Sequence, residues 1–279
     1  ERYDIIRSVR DKRYRYIRNY EPLKPYYQYM NTPEKGATMK ELRRVAATGQ
    51  MPSAMGLFMA DRKPVEEFYD LQNDPHEINN LANDHKHKDQ LEKFRKVHKE
   101  WIKETRDLGL IPEPEMVLRE KKAGSRYDIL AKTEDNTLPE RLGRMASLAS
   151  EGEQALPELL KGLKDKDAAV RFWAATGIGN VGKPLKEVTT ACLGILEKEG
   201  STIVRIAVAR ALLRMQTEEK KAITELSKSL KSAEQWSRLH AAIVLDEANE
   251  KARPALPALK NALENQPNKY IVRVANKAV

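Results

Sequence analysis

The feature that most constrains this chain is an arginine that returns at a nearly fixed interval. Val170-Arg171-Phe172-Trp173-Ala174-Ala175 is followed by Val204-Arg205-Ile206-Ala207-Val208-Ala209, then Ser237-Arg238-Leu239-His240-Ala241-Ala242, then Val272-Arg273-Val274-Ala275. Arg171, Arg205, Arg238 and Arg273 stand 34, 33 and 35 residues apart. A period of that length marks stacked supersecondary units. Upstream of each arginine lies a second apolar pattern: Ala155-Leu156-Pro157-Glu158-Leu159 returns as Ala255-Leu256-Pro257-Ala258-Leu259. Leu156, Leu159, Leu160 and Leu163 are three and four apart, so they share one helical face. Pro157 and Pro257 sit near helix starts, where a missing N–H does no harm. Asp167 is the expected N-cap of the second helix, with Arg171 one turn further on. One hairpin cannot bury its apolar face alone, so the units must stack. Residues 138–279 are therefore expected to form a solenoid without an active site. The arginines are expected to brace adjacent turns, the alternative being a ladder of anion contacts.

The pattern of Asp165, Asp167, Val170, Arg171, Ala174 and Ala175, with its later equivalents, resembles the HEAT family of helical repeats. The third unit has Ser237 in place of the valine, and the interval is shorter than the commonest HEAT length, so "HEAT-like" is the appropriate label.

The first half has a different period. Residues 5–10 and 13–19 alternate polar and apolar around Asp11-Lys12, which predicts a β-hairpin. Glu66-Glu67-Phe68-Tyr69-Asp70-Leu71 reads as a third strand, closed by the turn Asn73-Asp74-Pro75. A long helix follows, with Leu91, Phe94, Val97, Trp101 and Ile102 assigned to its buried stripe. Leu108-Gly109, Pro112 and Pro114 end it. The expected fold is α+β, then all-α: a small antiparallel sheet with a covering helix over 1–118, a linker at 119–137, and the helical-hairpin solenoid over 138–279.

Two stretches here carry a second resemblance. Arg7-Ser8-Val9-Arg10-Asp11-Lys12-Arg13-Tyr14-Arg15-Tyr16-Ile17-Arg18-Asn19-Tyr20, and residues 63–82 from Lys63-Pro64-Val65 through Asp74-Pro75-His76-Glu77 to Asn79-Asn80-Leu81-Ala82, are similar in order and spacing to the C-terminal subdomain of bacterial sulfatases. The resemblance implies a parent sulfuric ester hydrolase acting on sulfated glycans. It implies a calcium ion and a formylglycine, made from a Cys/Ser-x-Pro/Ala-x-Arg motif, in a catalytic domain outside this chain. A strong nucleophile and a cation that spreads charge are what cleavage of a sulfate ester requires.

Within the chain no catalytic residue, metal ligand or cofactor-binding residue is expected. Cys192-Leu193-Gly194-Ile195-Leu196 fails the motif, Ser201 has Ile203 where Pro or Ala belongs, and Asp135-Asn136 reads as a loop N-cap. The fragment alone is expected to be inactive. Arg13, Arg15, Arg18 and Tyr16 are the candidate substrate-facing group, against the plainer reading that the tyrosines pack under the helix. His85-Lys86-His87 is read as an exposed helix start, and His98 and His240 as structural, His98 on the charged side of its helix.

The net charge of +9 suits an anionic partner. The resemblance makes that partner a sulfated polysaccharide rather than a nucleic acid, alongside the missing catalytic domain and a protein on the repeats. It also implies export to the periplasm or outside the cell. Cys192 is the one cysteine, so no internal disulfide is available. The polar start at Glu1-Arg2-Tyr3-Asp4 and the end inside a helical pattern lead to the expectation of a piece of a longer chain. Two alternatives stay open: a stand-alone repeat adaptor, or a fragment of a related phosphonate or phosphodiester hydrolase.

Overall fold

The computed structural model describes residues 2–264 and 266–279. Packing divides the chain between Thr105 and Arg106. The first unit holds a three-stranded antiparallel sheet, β1 (Ile6–Arg10), β2 (Tyr14–Asn19) and β3 (Glu66–Asp70), in that order. Asp11 Oδ1 accepts from the amides of Arg13 and Tyr14 and sets the tight turn. The register pairs Val9 with Tyr16 and Tyr16 with Phe68, so these three share one face. The β2–β3 connection carries α1 (Asn31–Glu34), α2 (Ala37–Ala47) and α3 (Ser53–Met59). The sequence pattern assigned no elements there, because these helices are short and only Met39 among their residues is buried.

After β3, the turn residues work on the strand's free edge. Asn80 accepts from the Phe68 amide at 2.9 Å and donates to the Glu66 carbonyl at 3.0 Å, in place of a fourth strand. The long helix α4 (Lys88–Thr105) then closes a core of Tyr16, Phe68, Leu91 and Phe94. Its stripe differs from the expected one. Leu91, Phe94, His98 and Ile102 are buried, whereas Val97 and Trp101 are 48% and 43% exposed. The steps of three, four and four keep His98 on the core line and rotate Val97 and Trp101 away. His98 is thus not on the charged side; its ring lies between Tyr16 and Tyr20.

The second unit begins before the repeats. The helix α5 (Glu113–Ala123) starts in the stretch expected to go with the sheet and runs into the expected linker, which also holds α6 (Asp128–Ala131). Residues 106–137 belong to this unit, not to the sheet: the Trp173 indole donates to the Leu110 carbonyl at 2.7 Å, and Arg119 reaches Asp167 at 3.0 Å. Next come α7 (Leu138–Leu148), α8 (Leu156–Gly162), α9 (Ala168–Val181), α10 (Lys186–Lys198), α11 (Thr202–Arg214), α12 (Glu219–Ser229), α13 (Gln235–Ala248), α14 (Leu256–Asn261) and α15 (Lys269–Ala278). The second helices α9, α11, α13 and α15 pack on one another in sequence and form the buried layer. Small residues permit this. A β-carbon on Gly177 would lie 2.8 Å from the Ala149 backbone, so the turn after α7 sits directly on α9. The fold is mostly helical, with the small sheet and the repeat region both present as expected.

Candidate functional site

In the hairpin, Tyr16 is 2% exposed, inside the core, and its hydroxyl donates to Glu66 at 2.6 Å. Arg18 is also buried and pairs with Glu66 at 3.7 Å. Both side chains are committed to Glu66 within the sheet unit. Arg13 and Arg15 reach solvent, but each is held by a carboxylate of its own unit: Arg13 donates to both oxygens of Asp70, and Arg15 to Glu77 at 2.8 Å. The fork of Arg13 holds the Asp70 carboxyl down to about 2. Burial pushes Glu66 up, but the Arg95 guanidinium and the Tyr16 hydroxyl outweigh it and leave the carboxyl below its usual range.

One expected result follows. A depressed carboxyl contributes stability above the unfolded value of about 3.9 that is lost as pH falls through the folded one. For Asp70 that window runs from about pH 4 down to about 2. Arg13→Ala is expected to return Asp70 towards the ordinary range, read by carboxyl NMR titration, and to raise the acid-unfolding midpoint of the sheet. An unmoved Asp70 titration would show that Arg13 is not the cause.

The opposite face of the sheet carries a buried polar cluster that sequence reading did not single out. Asn19 is fully buried and donates to Glu67 Oε1 at 2.6 Å and to the Pro64 carbonyl at 2.8 Å. The Tyr69 hydroxyl donates to Glu67 Oε2 at 2.6 Å. Burial, then the hydrogen bond to Glu67, raises the phenols of Tyr26 and Tyr69 far above their usual range. The one available signal was the Glu66-Glu67 pair inside a strand pattern, where alternation puts one carboxylate on each face.

The remaining candidates are occupied by the fold. Cys192 is fully buried, and that burial pushes its thiol up to about 12, the setting of an unreactive core cysteine. His87 contacts Asp84 at 3.0 Å, and no cluster of three metal-ligating side chains occurs among the described residues. Asp135 accepts from Thr137 and pairs with Arg141 and Lys166.

The repeat arginines do brace turns. Arg171 donates to the carbonyls of Asp165 and Lys166 and forks onto Glu199 of the following unit at 2.6 and 2.8 Å. Arg205 repeats this on Glu199 and Gly200 carbonyls and on Glu225. Arg238 donates to Ser232 and Ala233 carbonyls, but its Nε is buried without a partner among the described residues. Arg171, Arg205 and Arg238 thus each tie their own inter-helix turn, and the first two also tie the next repeat. Arg171 reaches these partners rather than the Asp167 carboxylate, which caps α9 by accepting from Ala169. In the second unit a cavity of about 630 Å³ opens beside α5, with Arg119, Lys122, Lys132 and Lys166 among its walls.

These features define a small antiparallel-sheet unit and a helical-repeat unit. Residues 155–185, which span α8 and α9, match the HEAT repeat family. The chain is similar to two ulvan-active sulfatases of Formosa agariphila. It is 40% identical to one over 114 residues, 41% of this chain and 19% of that protein. It is 35% identical to the other over 102 residues, 37% of this chain and 18% of that protein. The chain therefore spans about a fifth of the length of the curated relatives it matches. No helix among the described residues is long and apolar enough to cross a membrane.

Proposed function

We propose that this chain is the C-terminal part of an exported sulfatase that acts on sulfated glycans, and that the repeats hold the enzyme to its polymer or to a protein. The observation that carries the reading is the similarity to two ulvan-active sulfatases, together with a hairpin, third strand and Asn80-capped edge in the order the resemblance implies. Calcium and formylglycine belong, on this reading, to a catalytic domain outside the 279 residues. The part played by the chain's own residues is structural: β2, β3 and α4 pack together, and of the hairpin cations Arg10, Lys12 and Arg13 are exposed, Arg7 and Arg15 are half-buried, and Arg18 is buried.

The test uses the complete gene. Its product is expected to carry a Cys/Ser-x-Pro/Ala-x-Arg motif before the hairpin and to release inorganic sulfate from a sulfated polysaccharide, read by ion chromatography. The 279-residue chain alone is expected to release none. A complete gene without the motif, or a product that hydrolyses phosphonate or phosphodiester substrates instead, would overturn the reading.

A further inference from the structure

Where each repeat turns from its first helix to its second, one lysine recurs. Lys164, Lys198 and Lys231 stand 34 and 33 residues apart, each seven positions before its repeat arginine. They lie at or just beyond the ends of α8, α10 and α12, and all three are exposed. The arginines of this edge are consumed by the fold, whereas none of these lysines makes an ion pair among the described residues. The neighbouring carboxylates are engaged too. Asp165 pairs with Arg141, Asp167 caps α9, Glu199 accepts from Arg171 and the Ser201 amide, and Glu234 caps α13. Glu197 is exposed but projects about 100° round its helix from Lys198. The result is a row of unneutralised ammonium groups along one edge. It starts beside the cavity of Arg119, Lys122 and Lys166 and gives way to neutral Gln266 in the fourth unit.

Packed helices stand about 10 Å apart, so the row steps on the order of 10 Å per repeat. That step is of the order of a disaccharide. A linear polymer with sulfate on successive disaccharides would meet one cation per unit. Lysine suits such a ligand because its ammonium is a mobile point charge, tolerant of register where a rigid fork is not. We propose that the turn edge of the solenoid, Lys164, Lys198 and Lys231 with Lys122 at its start, is a docking track for a linear sulfated polysaccharide. The choice of sulfated sugar over other polyanions rests on the sulfatase reading; the track itself rests on the lysine register.

The experiment titrates the 279-residue chain with a heparin oligosaccharide, its desulfated counterpart and duplex DNA of equal charge, over a series of salt concentrations. The expected result is binding to heparin above both comparators. Lys164→Ala/Lys198→Ala/Lys231→Ala should weaken it roughly tenfold or more and lower the salt slope by about the charges removed. Two variants should change it by no more than about twofold, Lys186→Ala/Lys220→Ala on the opposite turn edge and Arg13→Ala/Arg15→Ala on the hairpin. Unaltered heparin binding by the triple variant, loss in the hairpin variant instead, no binding at low salt, or tighter binding to DNA would each overturn the track. None of these outcomes touches the sulfatase reading, which stands or falls on sulfate release by the complete gene product.

Discussion

Trp173→Ala is expected to destabilise the repeat unit by about 4 kcal/mol, the range for emptying a fully buried large aromatic. Trp173 is 0% exposed and stacks edge-on with Phe172. Its indole N–H also holds the Leu110 carbonyl, and Leu110 and Ile111 are each 1% exposed. The substitution removes core volume from α9 and the anchor of residues 108–123 together. Trp173→Phe keeps most of the volume and loses the hydrogen bond, so it should cost about 1–2 kcal/mol. Urea unfolding of the full chain, followed by far-ultraviolet circular dichroism, measures both. Because repeat arrays fold as coupled neighbours, the loss should appear first in α7, α9 and α5 by hydrogen exchange. Equal stability of the alanine and phenylalanine variants would show that packing at Trp173 is not what joins α5 to the stack.

That anchor also shows where sequence reading stopped. The helical period exposed the hairpins because each unit repeats the same apolar spacing, and a pattern seen four times overrides local ambiguity. Nothing periodic marks residues 106–137. Their place is set by single long-range contacts, Trp173 to Leu110, Ser201 to Glu115 and Arg119 to Asp167, which no local window contains. The stripe of α4 failed for a related reason. Val97 and Trp101 have the right hydropathy and His98 the wrong one, but position on the helix, not polarity, decided burial, and Tyr16 of β2 with Tyr20 just beyond the strand made a place for the imidazole.

The candidate site was legible only in outline. The hairpin cations were visible as residues, but their partners Asp70, Glu77 and Glu66 lie 57, 62 and 48 positions away in the chain, and those partners determine how much charge is left for a ligand. The lysine row shows the converse. Its members are undistinguished in sequence, and they gain meaning because the arginines and carboxylates around them are already committed to one another.

Glu67→Ala is expected to cost the sheet unit about 3–5 kcal/mol, because it strips the shared acceptor from a group of buried donors. Glu67 is 4% exposed and receives the Asn19 amide and the Tyr69 hydroxyl, each at 2.6 Å, with Tyr26 also bonded to it. Asn19 is fully buried, so the donors left behind bear the desolvation penalty. Glu67→Gln preserves shape and one acceptor but turns its NH₂ towards groups that donate, so about 1–2 kcal/mol is expected. The loss should be directional. Asn19 and Tyr20 amides, bonded to the Val65 and Ile5 carbonyls, should exchange faster, while Leu71, bonded to the Arg13 carbonyl at the hairpin tip, should keep its protection. Tyr69 should stay protonated into strongly alkaline pH even in Glu67→Gln, since burial is the larger cause of its raised value. Uniform loss of protection across all three strands would show that the cluster stabilises the whole sheet rather than the β2–β3 junction it bridges.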